Sequence, residues 1–190
     1  MKDMTPQQDY QFSQLGHRAL KAIEEFPRPV IAAINGYALG GGLEIALACD
    51  FIYAAEGAKM GLPEVTLGIF PGFGGTQRLP RLIGKARAKE LIYTGEMVDA
   101  KRAYEWGIVN KVCPPEKLME EAKGVASKIA RNGPDAVRVA KEVVNKGYDV
   151  GQEEGEMIEI SAWAASFATY DQKEGMGAFL EKRKPLFKGE

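Results

Sequence analysis

The chain has 190 residues, 45% apolar and 27% charged, which suits one domain with a sizeable core and allows two at most. Its 25 Lys and Arg nearly balance 26 Asp and Glu, so the basic excess of a general nucleic-acid binder is missing. Cys49 and Cys113 stand far apart and His17 is alone, a pattern that suggests no zinc site. A Ser-His or Cys-His catalytic system would have to use His17, which reads as a solvated residue on a polar helix face. The first ten residues, MKDMTPQQDY, lack a signal-peptide apolar region. The apolar stretch 30–55 is broken by Asn35, Glu44, Asp50 and several glycines, so it cannot form one clean membrane span. A soluble cytoplasmic protein is the expectation.

In residues 8–26, Phe12, Leu15, Ala19, Ile23 and Phe26 recur at helical spacing, which predicts an amphipathic helix that Pro27 and Pro29 end. VIAAI, 30–34, predicts a strand buried on both faces. A glycine-rich turn over 36–42, a helix over 43–49 and a strand over 51–55 complete a βαβ-like unit. Residues 59–61 read as a short strand or bulge. A second glycine loop, Pro71-Gly72-Phe73-Gly74-Gly75, precedes a segment over 77–82 that Thr76 is expected to cap. Helices follow over 85–93 and 99–106, stopped by Gly95 and Gly107, then a strand over 108–112. Beyond residue 113 only helical patterns occur, over 116–131, 134–147, 153–170 and 172–184.

Two carboxylates stand out. Glu44 follows Gly40, Gly41 and Gly42 inside an apolar run, and Glu64 follows Gly61 and Pro63. An unpaired buried carboxylate costs several kcal/mol or keeps its proton. Acid–base chemistry, with one carboxyl holding a proton and another accepting one, is a reason to tolerate such burial. Otherwise Glu44 is a helix-face carboxylate in an ion pair or water, and Glu64 a loop carboxylate capping nearby backbone. The loop 36–42 opens into a helix N-terminus with outward N–H groups. The glycine spacing matches neither GxxxxGK[ST] nor GxGxxG, so a nucleotide loop is the weaker use and an oxyanion hole the other.

PVIAAINGYALGGGLEIALACD, MGLPEVTLGIFPGFGGTQRLPRLIG, LIYTGEMVDAKRAYEWGIVNKV and FATYDQKEGMGAFLEKRKPLF together resemble the crotonase superfamily, and within it the enoyl-CoA hydratases. The resemblance implies an α/β fold, a crotonase-like (ClpP/crotonase) ββα spiral incomplete at its N-terminus, with C-terminal helices. It places the C-terminal part of the spiral core in 1–113 and a helical trimerisation region in 114–190. It implies reversible syn addition of water to a trans-2-enoyl-CoA, giving a 3-hydroxyacyl-CoA. By motif position Glu44 and Glu64 would be the catalytic carboxylates and Gly41 an oxyanion N–H. Lys182 would reach the CoA of a neighbouring subunit; otherwise it is a solvated residue that complements the helix dipole. No metal or redox cofactor is implied, because coenzyme A belongs to the substrate. An acyl-CoA thioester is the implied partner, with neither nucleic acid nor membrane, in a homo-trimer or hexamer.

The chain also departs from the pattern. Met1-Lys2-Asp3-Met4 resembles the tail of a loop that carries a second oxyanion N–H, so an N-terminal portion is expected to be absent. Unpaired strand edges and a poor hydratase are the expected consequences. The rival readings are an enoyl-CoA isomerase, another crotonase-type lyase, or a catalytically impaired fragment acting as a binding or scaffold protein. Glutamate at both positions favours hydration.

Overall fold

Thr5 starts the first helix, α1 (Pro6–Glu24), with a capping box: its side chain accepts from the Gln8 N–H while the Gln8 side chain accepts from the Thr5 N–H. The computed structural model describes Met1–Glu190 in two compact units, Met1–Phe26 with Val30–Lys123, and Pro27–Pro29 with Gly124–Glu190.

In the first unit, short strands are divided between two sheets. β1 (Ile31–Ile34) is followed by β2 (Tyr37–Leu39), helix α2 (Gly41–Ala48), β3 (Phe51–Ala55) and β4 (Lys59–Gly61). A 3-10 turn over Pro63–Leu67 leads to α3 (Gly75–Ile83), α4 (Lys85–Thr94), β5 (Val98–Asp99), α5 (Ala100–Glu105) and β6 (Lys111–Cys113). One sheet has the order β1-β3-β6, all parallel, with Ile31 opposite Phe51 and Tyr53 opposite Lys111. The other has the order β2-β4-β5, with β2 parallel to β4 and β5 antiparallel to it. Leu43, Met60, Leu62 and Leu79 are fully buried in the core under these sheets. α6 (Leu118–Ile129) begins in this unit.

The second unit is helical: α7 (Pro134–Tyr148), α8 (Gln152–Ser166) and α9 (Tyr170–Leu180). α7 and α8 approach at two glycines, where a Cβ on Gly155 would lie 3.3 Å from the Gly147 carbonyl oxygen. Asp171 is buried and accepts from the Lys188 and Gly189 N–H groups at 2.6 and 2.9 Å. Glu174 accepts from both Nη atoms of Arg183 and from the Leu186 N–H. The Arg183 guanidinium, and next the Leu186 N–H, hold the Glu174 carboxyl down to about 2. No helix of the chain is long and apolar enough to cross a membrane.

Four local expectations are corrected. The turn expected over 36–42 contains β2, three residues being too short to show a period. Gly74, in the left-handed region at φ 108°, caps α3, and Thr76 lies inside the helix, its hydroxyl accepting from Gln77 Nε2. The α1 face that packs is Ser13, Gly16, Leu20 and Ile23, while Phe12, Leu15 and Phe26 stay exposed, because small residues meet a neighbouring loop there. β6 begins only at Lys111: Asn110 continues its line with side chain and backbone, accepting from the Ile52 N–H and donating to the Ile52 carbonyl.

Candidate active site

The β2–α2 junction turns on Gly40, whose φ of 53° and ψ of −125° suit only glycine. Its N–H donates to the Gly61 carbonyl at 2.9 Å, tying the turn to the end of β4. Its carbonyl accepts from Leu43 and Glu44, which starts α2. Gly41 is the first residue of that helix. Its N–H has no carbonyl inside the helix to bond, and no other backbone carbonyl takes it. The helix dipole adds to the pull of this N–H on a negatively charged oxygen.

Glu44 lies in the first turn of α2 and is only 2% exposed. Its Oε1 accepts from the Phe73 and Gly75 N–H groups, each at 2.8 Å. Two backbone donors on one carboxylate oxygen fix the side chain. Gly75 leaves the room: a Cβ there would stand 2.9 Å from Leu62 Cδ1 and 3.1 Å from Glu44 Oε1.

Glu64 lies in the 3-10 turn after Pro63. A Cβ on Gly40 would be 3.1 Å from Glu64 Oε1, so the carboxyl rests beside the glycine turn that leads to Glu44. Its Oε2 is buried with no protein partner. Burial raises the Glu64 pKa; a bond to its own N–H opposes this, and the Glu44 charge adds to the rise. Two glutamates thus occupy unlike settings, one braced by N–H donors and the other pushed toward its protonated form.

The structure therefore brings Gly41, Glu44 and Glu64 together around one glycine turn. Lys182 belongs to the second unit, just past the end of α9. It is exposed and has a φ of 56°, the one non-glycine residue in the left-handed region. Sequence reading missed the donors from Phe73 and Gly75, and it missed Gly40 as the seat of Glu64. The Pro-Gly-Phe-Gly-Gly loop carried a signal, since adjacent glycines allow backbone to approach a side chain, but not the identity of that side chain.

All of residues 1–190 match the family model for enoyl-CoA hydratase/isomerase. The chain is 50% identical over 187 residues to a crotonyl-CoA hydratase of Syntrophomonas wolfei, covering 98% of this chain and 72% of the relative. It is 47% identical over 184 residues to a short-chain-enoyl-CoA hydratase of Clostridium acetobutylicum, covering 97% and 70%. A crystal structure of an enoyl-CoA hydratase from Bacillus anthracis superposes with a TM-score of 0.95 at 51% identity, over 100% of this chain and 73% of the other.

Proposed function

We propose that this chain, which belongs to the enoyl-CoA hydratase/isomerase family, adds water reversibly to a short trans-2-enoyl-CoA to give a 3-hydroxyacyl-CoA. The fold is crotonase-like, as in the superposed hydratases, and the enzyme class is a lyase. The observation that carries the residue roles is the pairing of a braced Glu44 with a Glu64 whose pKa burial raises, beside the Gly41 N–H.

In the proposed step a water oxygen attacks Cβ of the enoyl thioester while Glu44 takes one of its protons. The electron pair of the double bond moves toward the thioester oxygen, where the Gly41 N–H stabilises the enolate. An oxyanion donor of this kind contributes about 2.7–4 kcal/mol. Glu64 then gives its proton to Cα. Passage of a proton from Glu44 back to Glu64 resets the pair, so one water is consumed and nothing else. The step uses no metal or redox group, since coenzyme A arrives with the substrate.

Lys182 is proposed to meet the negatively charged CoA portion of a neighbouring subunit's substrate, supported by its exposed position after α9. A homo-trimer, or a pair of trimers, is proposed on the exposed apolar side chains of the second unit, among them Ile160, Trp163, Phe179 and Leu180. A cytoplasmic location belongs to the same reading.

Hydration of crotonyl-CoA, followed as loss of the enoyl absorbance, tests the activity. Turnover that disappears in Glu64→Gln is the expected result. A 3-enoyl-CoA converted to its 2-enoyl isomer, with no hydration of crotonyl-CoA, would replace hydratase by isomerase.

A further inference from the structure

Phe73 is held from both sides. Its N–H donates to Glu44 Oε1 at 2.8 Å, and its carbonyl accepts from Arg78 Nη1 at 2.9 Å. The rest of the guanidinium is committed to Glu24 of α1, Nε to Oε1 at 2.6 Å and Nη2 to Oε2 at 2.8 Å. This is a bidentate, charge-assisted pair, and the Arg78 side chain is 17% exposed. α1 is seated on the same loop at other points. The Ser13 hydroxyl donates to the Gly72 carbonyl at 2.8 Å, and the Phe12 ring meets Phe73 edge-on at 5.1 Å. A Cβ on Gly16 would run into the Phe73 ring, and one on Gly74 into Arg78 Nη1.

The geometry has a consequence for Glu44. Its two donors, the Phe73 and Gly75 N–H groups, lie in the peptide planes on either side of the 73–74 peptide. Arg78 grips the carbonyl of that middle plane. Glycines at 72, 74 and 75 leave the neighbouring backbone torsions loose, so an ungripped loop would rotate its donors away. We propose that Arg78, steadied by Glu24, is a positioning residue for Glu44: it fixes the 73–74 peptide plane and so keeps both N–H donors aimed at Glu44 Oε1. Its part in the reaction rests on the reading of Glu44 as the group that takes the proton from water.

The test uses Arg78→Gln, Arg78→Lys and Glu24→Gln in the full chain, with crotonyl-CoA kinetics and residue-resolved amide hydrogen exchange. In Arg78→Gln, kcat falls about 10- to 100-fold, the scale of a small misplacement of a reacting group, while KM stays within about twofold. Exchange at the Phe73 and Gly75 amides speeds by about tenfold or more, while Ile52 in β3 and Leu91 in α4 keep their rates. Arg78→Lys recovers part of kcat, and Glu24→Gln causes a smaller loss of the same kind. Unchanged kcat and unchanged exchange at the two loop amides in a folded variant would overturn the proposal. So would acceleration of all amides together, which marks a merely structural ion pair. If Arg78→Gln does not fold, the other two variants decide by the same readouts. Faster exchange at the two loop amides in variants of a chain with no hydratase activity would support the clamp and overturn the reading of the site instead.

Discussion

The two compact units keep their shape by different means. The first encloses a broad apolar core and places Glu44 inside it. The second has one fully buried apolar side chain, Ala178, and relies on carboxylates that grip backbone: Asp171 on Lys188 and Gly189, Glu174 on Leu186. Its large apolar side chains point outward, with Trp163 64% and Phe179 81% exposed. A unit with a full core can spend polar groups on chemistry. A unit without one needs its polar groups for its own cohesion and leaves its apolar surface to be covered by something else.

Exchanging the polar groups of each unit sharpens that contrast. Glu44→Gln and Glu64→Gln, in the first unit, are expected to lower kcat for crotonyl-CoA hydration by about 10²–10⁴-fold, the range of general acid–base groups. Circular dichroism should remain that of the parent. A large loss of fold together with activity would mean that these glutamates serve cohesion, as in the second unit.

Gly75→Ala comes next. The added methyl meets Leu62, Pro71 and Glu44 side-chain atoms at 2.9 to 3.1 Å, so these neighbours or the loop must give and the Glu44 carboxylate is displaced from its place against the loop. A fall in kcat of about tenfold or more is expected, with the melting temperature lowered as well, because overpacking costs about 1–3 kcal/mol.

Asp171→Ala is the corresponding break in the second unit. It strands two N–H groups near a buried position and should cost about 1–3 kcal/mol, read as a lower denaturant midpoint. Amide exchange should rise around Lys188 and Gly189 while β3 keeps its protection. Uniform loss of protection in both units would show that the two do not hold themselves separately.

The smallest effect is a gain. The folded Glu64 pKa lies above its unfolded value, so the native state binds this proton more tightly and stability falls as pH rises from about 4.5 through the raised folded value. Glu64→Gln removes that loss. Its melting temperature should exceed the parent's near neutral pH, and the difference should shrink toward zero below the unfolded carboxyl value. A difference that grows on acidification would reverse the assigned direction. Glu44→Gln should likewise lower the Glu64 titration midpoint, since the like charge beside it is gone.

The sequence by itself determined the alternation of β1, α2 and β3, the helices after residue 113, the glycine stops at Gly95 and Gly107, and the singling out of Glu44 and Glu64. Each of these is a local matter: periodicity, a breaker, or a charged residue in apolar surroundings. Only the tertiary structure decided what those carboxylates face. The Phe73 and Gly75 donors lie 29 and 31 residues from Glu44, and Arg78 lies 54 from Glu24. Such distances are closed by chain folding, and no local pattern records them. The same cause hid the packing face of α1, where Ser13 and Gly16 turn inward and Leu15 does not. A helix shows its hydrophobic stripe in sequence, but which stripe is covered depends on the shape it meets, and here that shape is the ring of Phe73.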